Sequence, residues 1–138
     1  MTGGRSTDAV YLDSSVLVAL LAVSDAQHGP ALRLARAHRG PMVRSAVSET
    51  EIGRALARRS APRPVQRAAR ELFDRCNLVD LTPEIRVIAI EVRPGSLRSL
   101  DAIHIATALV AGLRVFASFD GRQRLAAEEM GLELVAGI

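Results

Sequence analysis

Four short apolar runs each lead into a longer stretch of helical spacing, and a fifth closes the chain. The runs are Val10–Leu12, Met42–Val43, Leu78–Leu81, Arg114–Ala117 and Leu134–Val135. Strand and helix in strict alternation predict a parallel sheet covered on both faces by helices. The expected fold class is therefore α/β, with residues 9–138 as a single domain and residues 1–8, rich in small and polar side chains, as a flexible N-terminus. At 138 residues such a domain buries a proper core, and no repeat, low-complexity run or linker divides it.

The helical stretches have readable ends. Ser14 and Ser15 are predicted to cap a helix running to about Val23, and a second covers Pro30–His38 before Gly40-Pro41 stops it. Ser45 or Ser48 opens a third helix that runs through Glu51 and Arg54 to about Arg59. The segment Arg59–Pro64 breaks it, and a further helix carries Val65 to about Cys76. Thr82-Pro83 starts another, with Pro in its first turn. The next helix, within Leu97–Leu109, places Ile103, Ala106, Leu109 and Val110 on one face and ends at Gly112; Gly121–Met130 forms the last.

Composition excludes several functions. Hydrophobic residues make up 49% of the chain but aromatics only 3%, with no Trp, so a base-stacking platform for single strands is not expected. The net charge is +3, and all 18 basic residues are Arg. Arginine suits bidentate phosphate contacts, and a GC-rich genome gives the same bias. The stretch holding Arg54, Arg58, Arg59, Arg63, Arg67 and Arg70 reads either as solvated helix faces or, as a set, as a path for a phosphate backbone. Cys76 is alone, which excludes an internal disulfide and a cysteine-rich metal site. No apolar run spans a bilayer and the N-terminus is not signal-like, so the expectation is a cytoplasmic protein without membrane contact.

Acidic residues mark the candidate site. Asp13 and Asp120 each follow an apolar run, at the strand ends where ligands of parallel sheets bind. Asp101 lies in the first turn of its helix, and Glu51 in the helix after the second run. If the two runs share a sheet, all four acids converge, and a cluster of like charges calls for a cation. Oxygen donors without cysteine favour Mg²⁺ or Mn²⁺ over zinc, and such ions serve phosphoryl chemistry. Asp13 and Asp101 are the best direct ligands; Glu51 ligates or orients a water, and Asp120 completes an outer shell. Ser118 either bonds a metal-bound water or carboxylate, or satisfies backbone at the strand end. Glu49 competes with Glu51, because two residues apart on a helix they face opposite ways and apolar neighbours lie on both sides. His104, one turn after Asp101, reads as a structural histidine in reach of that carboxylate, and His28 as a surface residue.

Four stretches together are familiar. Tyr11-Leu12-Asp13-Ser14-Ser15, Glu51-Ile52-Gly53-Arg54-Ala55-Leu56, Leu100-Asp101-Ala102-Ile103-His104-Ile105-Ala106-Thr107-Ala108 and Ser118-Phe119-Asp120 resemble the ordered motifs of PIN-domain proteins, above all VapC-type toxin ribonucleases of bacterial toxin–antitoxin pairs. The family pattern selects Glu51 over Glu49. The resemblance implies a three-layer α/β/α fold with a parallel sheet ordered 3-2-1-4-5. It also implies a Mg²⁺- or Mn²⁺-dependent endoribonuclease acting on RNA through Asp13, Glu51, Asp101 and Asp120. A homodimer and a VapB-like antitoxin whose C-terminal segment lies over the site complete what it implies. The rival from another class is an inactive PIN-like module that binds RNA or protein. Dehalogenase chemistry lacks its second Asp, since Ser15 stands there, and a receiver lacks its Lys. Nucleotide-binding chemistry of the Rossmann kind lacks a glycine fingerprint.

Overall fold

A computed structural model of the chain describes residues 8–135. The expectation for the N-terminal residues falls, Asp8 apart, outside that range. Strand β1 (Val10–Leu12) is wholly buried and sits at the middle of the sheet. It pairs in parallel with β2 (Met42–Ser45) on one side and β4 (Val115–Ala117) on the other. Edge strands β3 (Asn77–Val79) and β5 (Glu133–Leu134) complete the order β3-β2-β1-β4-β5, as expected. An unbroken apolar run such as Val10-Tyr11-Leu12 suits a central parallel strand because both of its faces are covered.

The period of two along β1 divides the core. Val10 and Leu12 pack on one face with Val16 and Leu17 of α1 (Ser14–Leu21) and Ile52 of α3 (Val47–Arg58). Tyr11 points to the other face, with Val43, Phe116 and Ile105 of α6 (Ser99–Val110). Each such fully buried side chain contributes roughly 1.5–3 kcal/mol relative to exposure. The remaining helices are α2 (His28–Ala37), α4 (Arg63–Arg75), α5 (Pro83–Glu91) and α7 (Gly121–Glu129).

Several boundaries differ from the sequence reading. Helix α1 is capped by Asp13, whose side chain accepts from Val16 N, rather than by Ser14 or Ser15. Helix α3 has no side-chain cap; Ser45 Oγ accepts from Val47 N just ahead of it. Helix α4 starts at Arg63, so the break is shorter than Arg59–Pro64. Pro64 is accepted in the first turn, where its missing N–H has no intrahelical partner to lose. Leu81 lies beyond β3 and is exposed, as is Leu78 on this edge strand. His28 is half-buried: its Nδ1 lies 2.8 Å from the Ala19 carbonyl, joining α1 to α2. In α6 the buried residues centre on Ala102, Ile105, Ala106 and Ala108, while Ile103 and Val110 are half-buried. That helix packs against α5, α7 and the sheet at once, so no single apolar stripe marks its inner face.

Gly112 and Gly131, at φ 74° and 92°, end α6 and α7 in the left-handed conformation that glycine adopts without strain. Helix α5 begins at Thr82, whose Oγ1 accepts from Ile85 N at 3.3 Å. Replacing Thr82 by Ala is expected to cost about 1 kcal/mol, read as a lower urea midpoint at unchanged slope.

Candidate active site

The in-register pairing of Leu12 with Ala117 places Asp13 and Ser118 at neighbouring strand ends, and the Asp13 amide donates to the Ala117 carbonyl. The two ends are tied by serines. Ser15 Oγ donates to Asp13 Oδ1 at 2.7 Å and accepts from Phe119 N at 3.0 Å. Ser118 Oγ accepts from Asp120 N at 3.0 Å and donates to Gln123 Oε1 at 2.9 Å. It also lies against Asp13. Its one hydrogen goes to Gln123 and its oxygen takes a backbone amide, so its hydrogen bonds are those of the strand-end reading. Asp120, exposed at the mouth of the site, caps α7 by accepting from Arg122 N and Gln123 N.

Glu51 is held by two side chains from other elements. Its Oε1 accepts from Ser14 Oγ at 2.5 Å and lies 2.7 Å from His104 Nε2. An ionised carboxylate only accepts, so Nε2 carries the hydrogen of that bond. The other ring nitrogen of His104, Nδ1, meets the buried Tyr11 hydroxyl at 2.5 Å. His104 thus serves Glu51 rather than Asp101. Glu49 turns away to Arg44 at 2.7 Å, and that guanidinium stacks over Phe73.

The charges have physical consequences. Asp13 is only 3% exposed, and burial pushes its carboxyl above the ordinary range against the opposing pull of the Ser15 and Ser118 hydroxyls. Burial also raises Asp101, and the Asp120 charge beside it raises it further; His104 and Arg98 pull the other way. Burial raises Glu51 too, but the bonds from His104 and Ser14 outweigh it and hold Glu51 below the ordinary carboxylate range. Asp101, Asp120 and Glu51 therefore share one electrostatic neighbourhood, and Asp13 joins it through His104, which faces both Asp13 and Asp101. Among the described residues no three His, Cys, Asp or Glu side chains form a ready-made cation cage. The donor set is nonetheless hard carboxylate oxygen carrying excess negative charge, which fits a divalent cation of the Mg²⁺ type. A groove of about 530 Å³ opens beside the acids, lined by Ser14, Ser15, Glu51, Arg54, Arg58 and Phe119 among others.

Sequence reasoning missed Gln123, which is fully buried and reaches from Ser118 to the Asp101 carbonyl, joining α7 to α6. Its signal was present: Asp120-x-x-Gln123 has the spacing of a capping box. Ser14 and Ser15 were legible only as helix caps, and Tyr11 only as core.

A model of the PIN domain matches residues 10–129. This chain belongs to the PIN-domain family. A curated relative, ribonuclease VapC46 of Mycobacterium tuberculosis, is 35% identical over 93% of this chain and 97% of its own length. Among solved structures, M. tuberculosis VapC20, described as a sarcin–ricin loop cleaving toxin, superposes with a TM-score of 0.73 at 27% identity. The match covers 85% of this chain and 94% of that protein. A toxin–antitoxin complex from Klebsiella pneumoniae shares the fold, with a TM-score of 0.65, 19% identity and coverage of 83% and 88%. The three-layer α/β/α architecture expected from the motifs is thus the architecture of this family.

Proposed function

We propose that this PIN domain is the toxin ribonuclease of a VapBC-type pair, hydrolysing RNA phosphodiester bonds with a water activated at Mg²⁺ or Mn²⁺. One observation carries the reading. The fold sets Asp101 beside Asp120 and near Glu51, and no side-chain hydrogen bond engages the Asp101 carboxylate among the described residues. Such repulsion is kept only where something positive enters. The curated relative's name, ribonuclease VapC46, supports the same chemistry.

Asp13 and Asp101 would hold the cation directly, with Asp120 completing its surroundings. The chemistry supplied by such a cation is a water of lowered pKa and a counter-charge for the phosphodiester. Glu51, fixed by His104 and Ser14, orients the attacking water or adds a ligand. Ser15 keeps Asp13 in place.

The partner is a VapB-like antitoxin whose C-terminal segment covers the acids. An apolar groove of about 490 Å³ supports this, since it shares Val18 and Ala55 with the groove beside the acids and is otherwise lined by residues such as Leu21, Ile52, Leu56 and Val65. The protein works as a homodimer in the cytoplasm. Exposed Val87 and Ile90 on α5 offer apolar surface for a second copy, and no helix among the described residues is long and apolar enough to cross a membrane.

The deciding experiment incubates purified protein with total cellular RNA and Mg²⁺ or Mn²⁺, and maps new ends by sequencing. Discrete ends that vanish with a chelator are expected. Absence of cleavage at every metal level, together with no binding in a metal titration, would turn the reading to a binding module.

A further inference from the structure

One buried side chain links two acids that repel each other. Gln123, in the first turn of α7, is fully buried, with partners just beyond β4 and on α6. Its main-chain N–H donates to Asp120 Oδ1 at 3.2 Å, and its side-chain Nε2 donates to the Asp101 carbonyl at 3.2 Å. A single residue therefore touches the carboxylate of one acid and the backbone of the other. The orientation of its amide follows from the chemistry of its partners. The Asp101 carbonyl only accepts, so nitrogen faces it, and Oε1 takes the Ser118 hydroxyl at 2.9 Å.

Local sequence alone favours a different bond. A Gln three residues after a helix cap ordinarily reaches back to the N–H of the cap itself. Here the Asp120 N–H donates to Ser118 Oγ at 3.0 Å instead, which frees the Gln123 side chain to leave its own helix. Among the described residues Asp101 has no other side-chain partner, whereas Asp13 is held by Ser15 and Glu51 by Ser14 and His104. The place of the Asp101 carboxylate is thus set through its backbone, and Gln123 is the side chain bonded to that backbone. An apolar side chain of equal length would fill the space without desolvating an amide. What the amide adds is a fixed separation.

That separation is under load. The Asp120 charge acts on Asp101, and like charges at the first turns of α6 and α7 push the two helices apart. A tie between the same two turns opposes the push. Small cations tolerate little play in such a site. Mg²⁺ demands near-octahedral oxygens at about 2.0–2.1 Å, whereas Ca²⁺ accepts a flexible shell at about 2.3–2.6 Å. Residues that only orient a metal ligand change affinity by about 10- to 100-fold when replaced.

We propose that Gln123 is a positioning residue that fixes the separation of Asp101 and Asp120, and through it the affinity of the site and its preference for a small divalent cation. Being buried, it reaches neither RNA nor the reacting atoms. The inference rests on the cation site of the ribonuclease reading, and one arm of its test needs no cation.

The first arm measures binding of Mn²⁺ to the full chain from the electron paramagnetic resonance of the free ion, with Mg²⁺ and Ca²⁺ as competitors. Gln123→Met keeps the length and loses both side-chain bonds. It is expected to weaken Mn²⁺ and Mg²⁺ by about tenfold or more, and Ca²⁺ by less than about threefold. Gln123→Asn, an amide one methylene too short to span both partners, gives the same shift and serves if the methionine variant folds poorly. Thr82→Ala, which lowers stability away from the acids, keeps all three affinities. A folded Gln123→Met with wild-type affinities overturns this proposal alone. So does an equal loss for Mg²⁺ and Ca²⁺, because a fixed separation discriminates by size.

The second arm compares urea midpoints in chelator. Asp101→Asn removes the repulsion and raises the midpoint of the otherwise wild-type chain. In the Gln123→Met background the helices have already relaxed, so the rise should shrink by about half or more. Equal rises in both backgrounds overturn the proposal. A wild type that binds none of the three cations, with the coupling present in urea, overturns the metal-dependent reading and leaves the fixed separation standing.

Discussion

Asp101→Asn is expected to lower RNA cleavage by about a thousandfold or more while the protein melts at or above the wild-type temperature. The two expectations come from the same geometry. No side-chain hydrogen bond engages the Asp101 carboxylate among the described residues; only its backbone carbonyl is used, by Gln123. Its charge is opposed by burial and by Asp120, so the folded state tolerates it at a cost. Asparagine removes that cost, keeps the shape and loses the anionic ligand. Initial rates on a mapped substrate and a thermal melt check both halves. A variant that unfolds would mean that the carboxylate holds the fold together, which sinks its assignment to the site. Asp13 offers the contrast, because it also caps α1 through Val16 N. Asp13→Ala is expected to lose activity and about 1–2 kcal/mol of stability together.

His104→Leu is expected to lower the cleavage rate by about 10- to 100-fold and stability by about 2–4 kcal/mol. The imidazole is buried between Tyr11 and Glu51, at 2.5 Å and 2.7 Å. Leucine of similar volume leaves the Tyr11 hydroxyl without its partner in the core and leaves Glu51 held by Ser14 alone. The loss should fall on kcat more than on KM, since in the proposed mechanism Glu51 acts on the water and not on the bulk of the RNA. His104→Gln restores one donor and should recover part of kcat. Tyr11→Phe keeps the ring stacked on Phe116 at 5.3 Å and should be milder than either. Wild-type kcat in His104→Leu would remove His104 from any positioning role.

The order of elements and the position of two acids were legible because they follow from local pattern. An apolar run ends where a strand leaves the core, so the residues before it placed Asp13 at the end of β1; Asp120, expected at the end of β4, lies three residues beyond it as the N-cap of α7. The family motifs supplied the sheet order and chose Glu51. What spacing along one helix left open was which of Glu49 and Glu51 faces the acids. Apolar neighbours lie on both sides, and the choice depends on residues outside the helix, one five positions before Glu49 and one far away in the chain.

The tertiary structure settles it with two partners, of which only His104 is distant in sequence. Arg44, buried on β2 against Phe73, takes Glu49, and His104 on α6 takes Glu51. Gln123 likewise became a bridge only when β4 and α6 were brought side by side. The inner face of α6 belongs to the same class, because a helix covered on several sides carries no single apolar stripe. The sequence by itself determined the number and order of strands and helices and which acids follow β1 and β4, since these depend on burial of neighbouring residues. Only the fold decided which polar side chains meet, since a buried hydrogen bond is fixed by partners whose separation along the chain leaves no periodic trace.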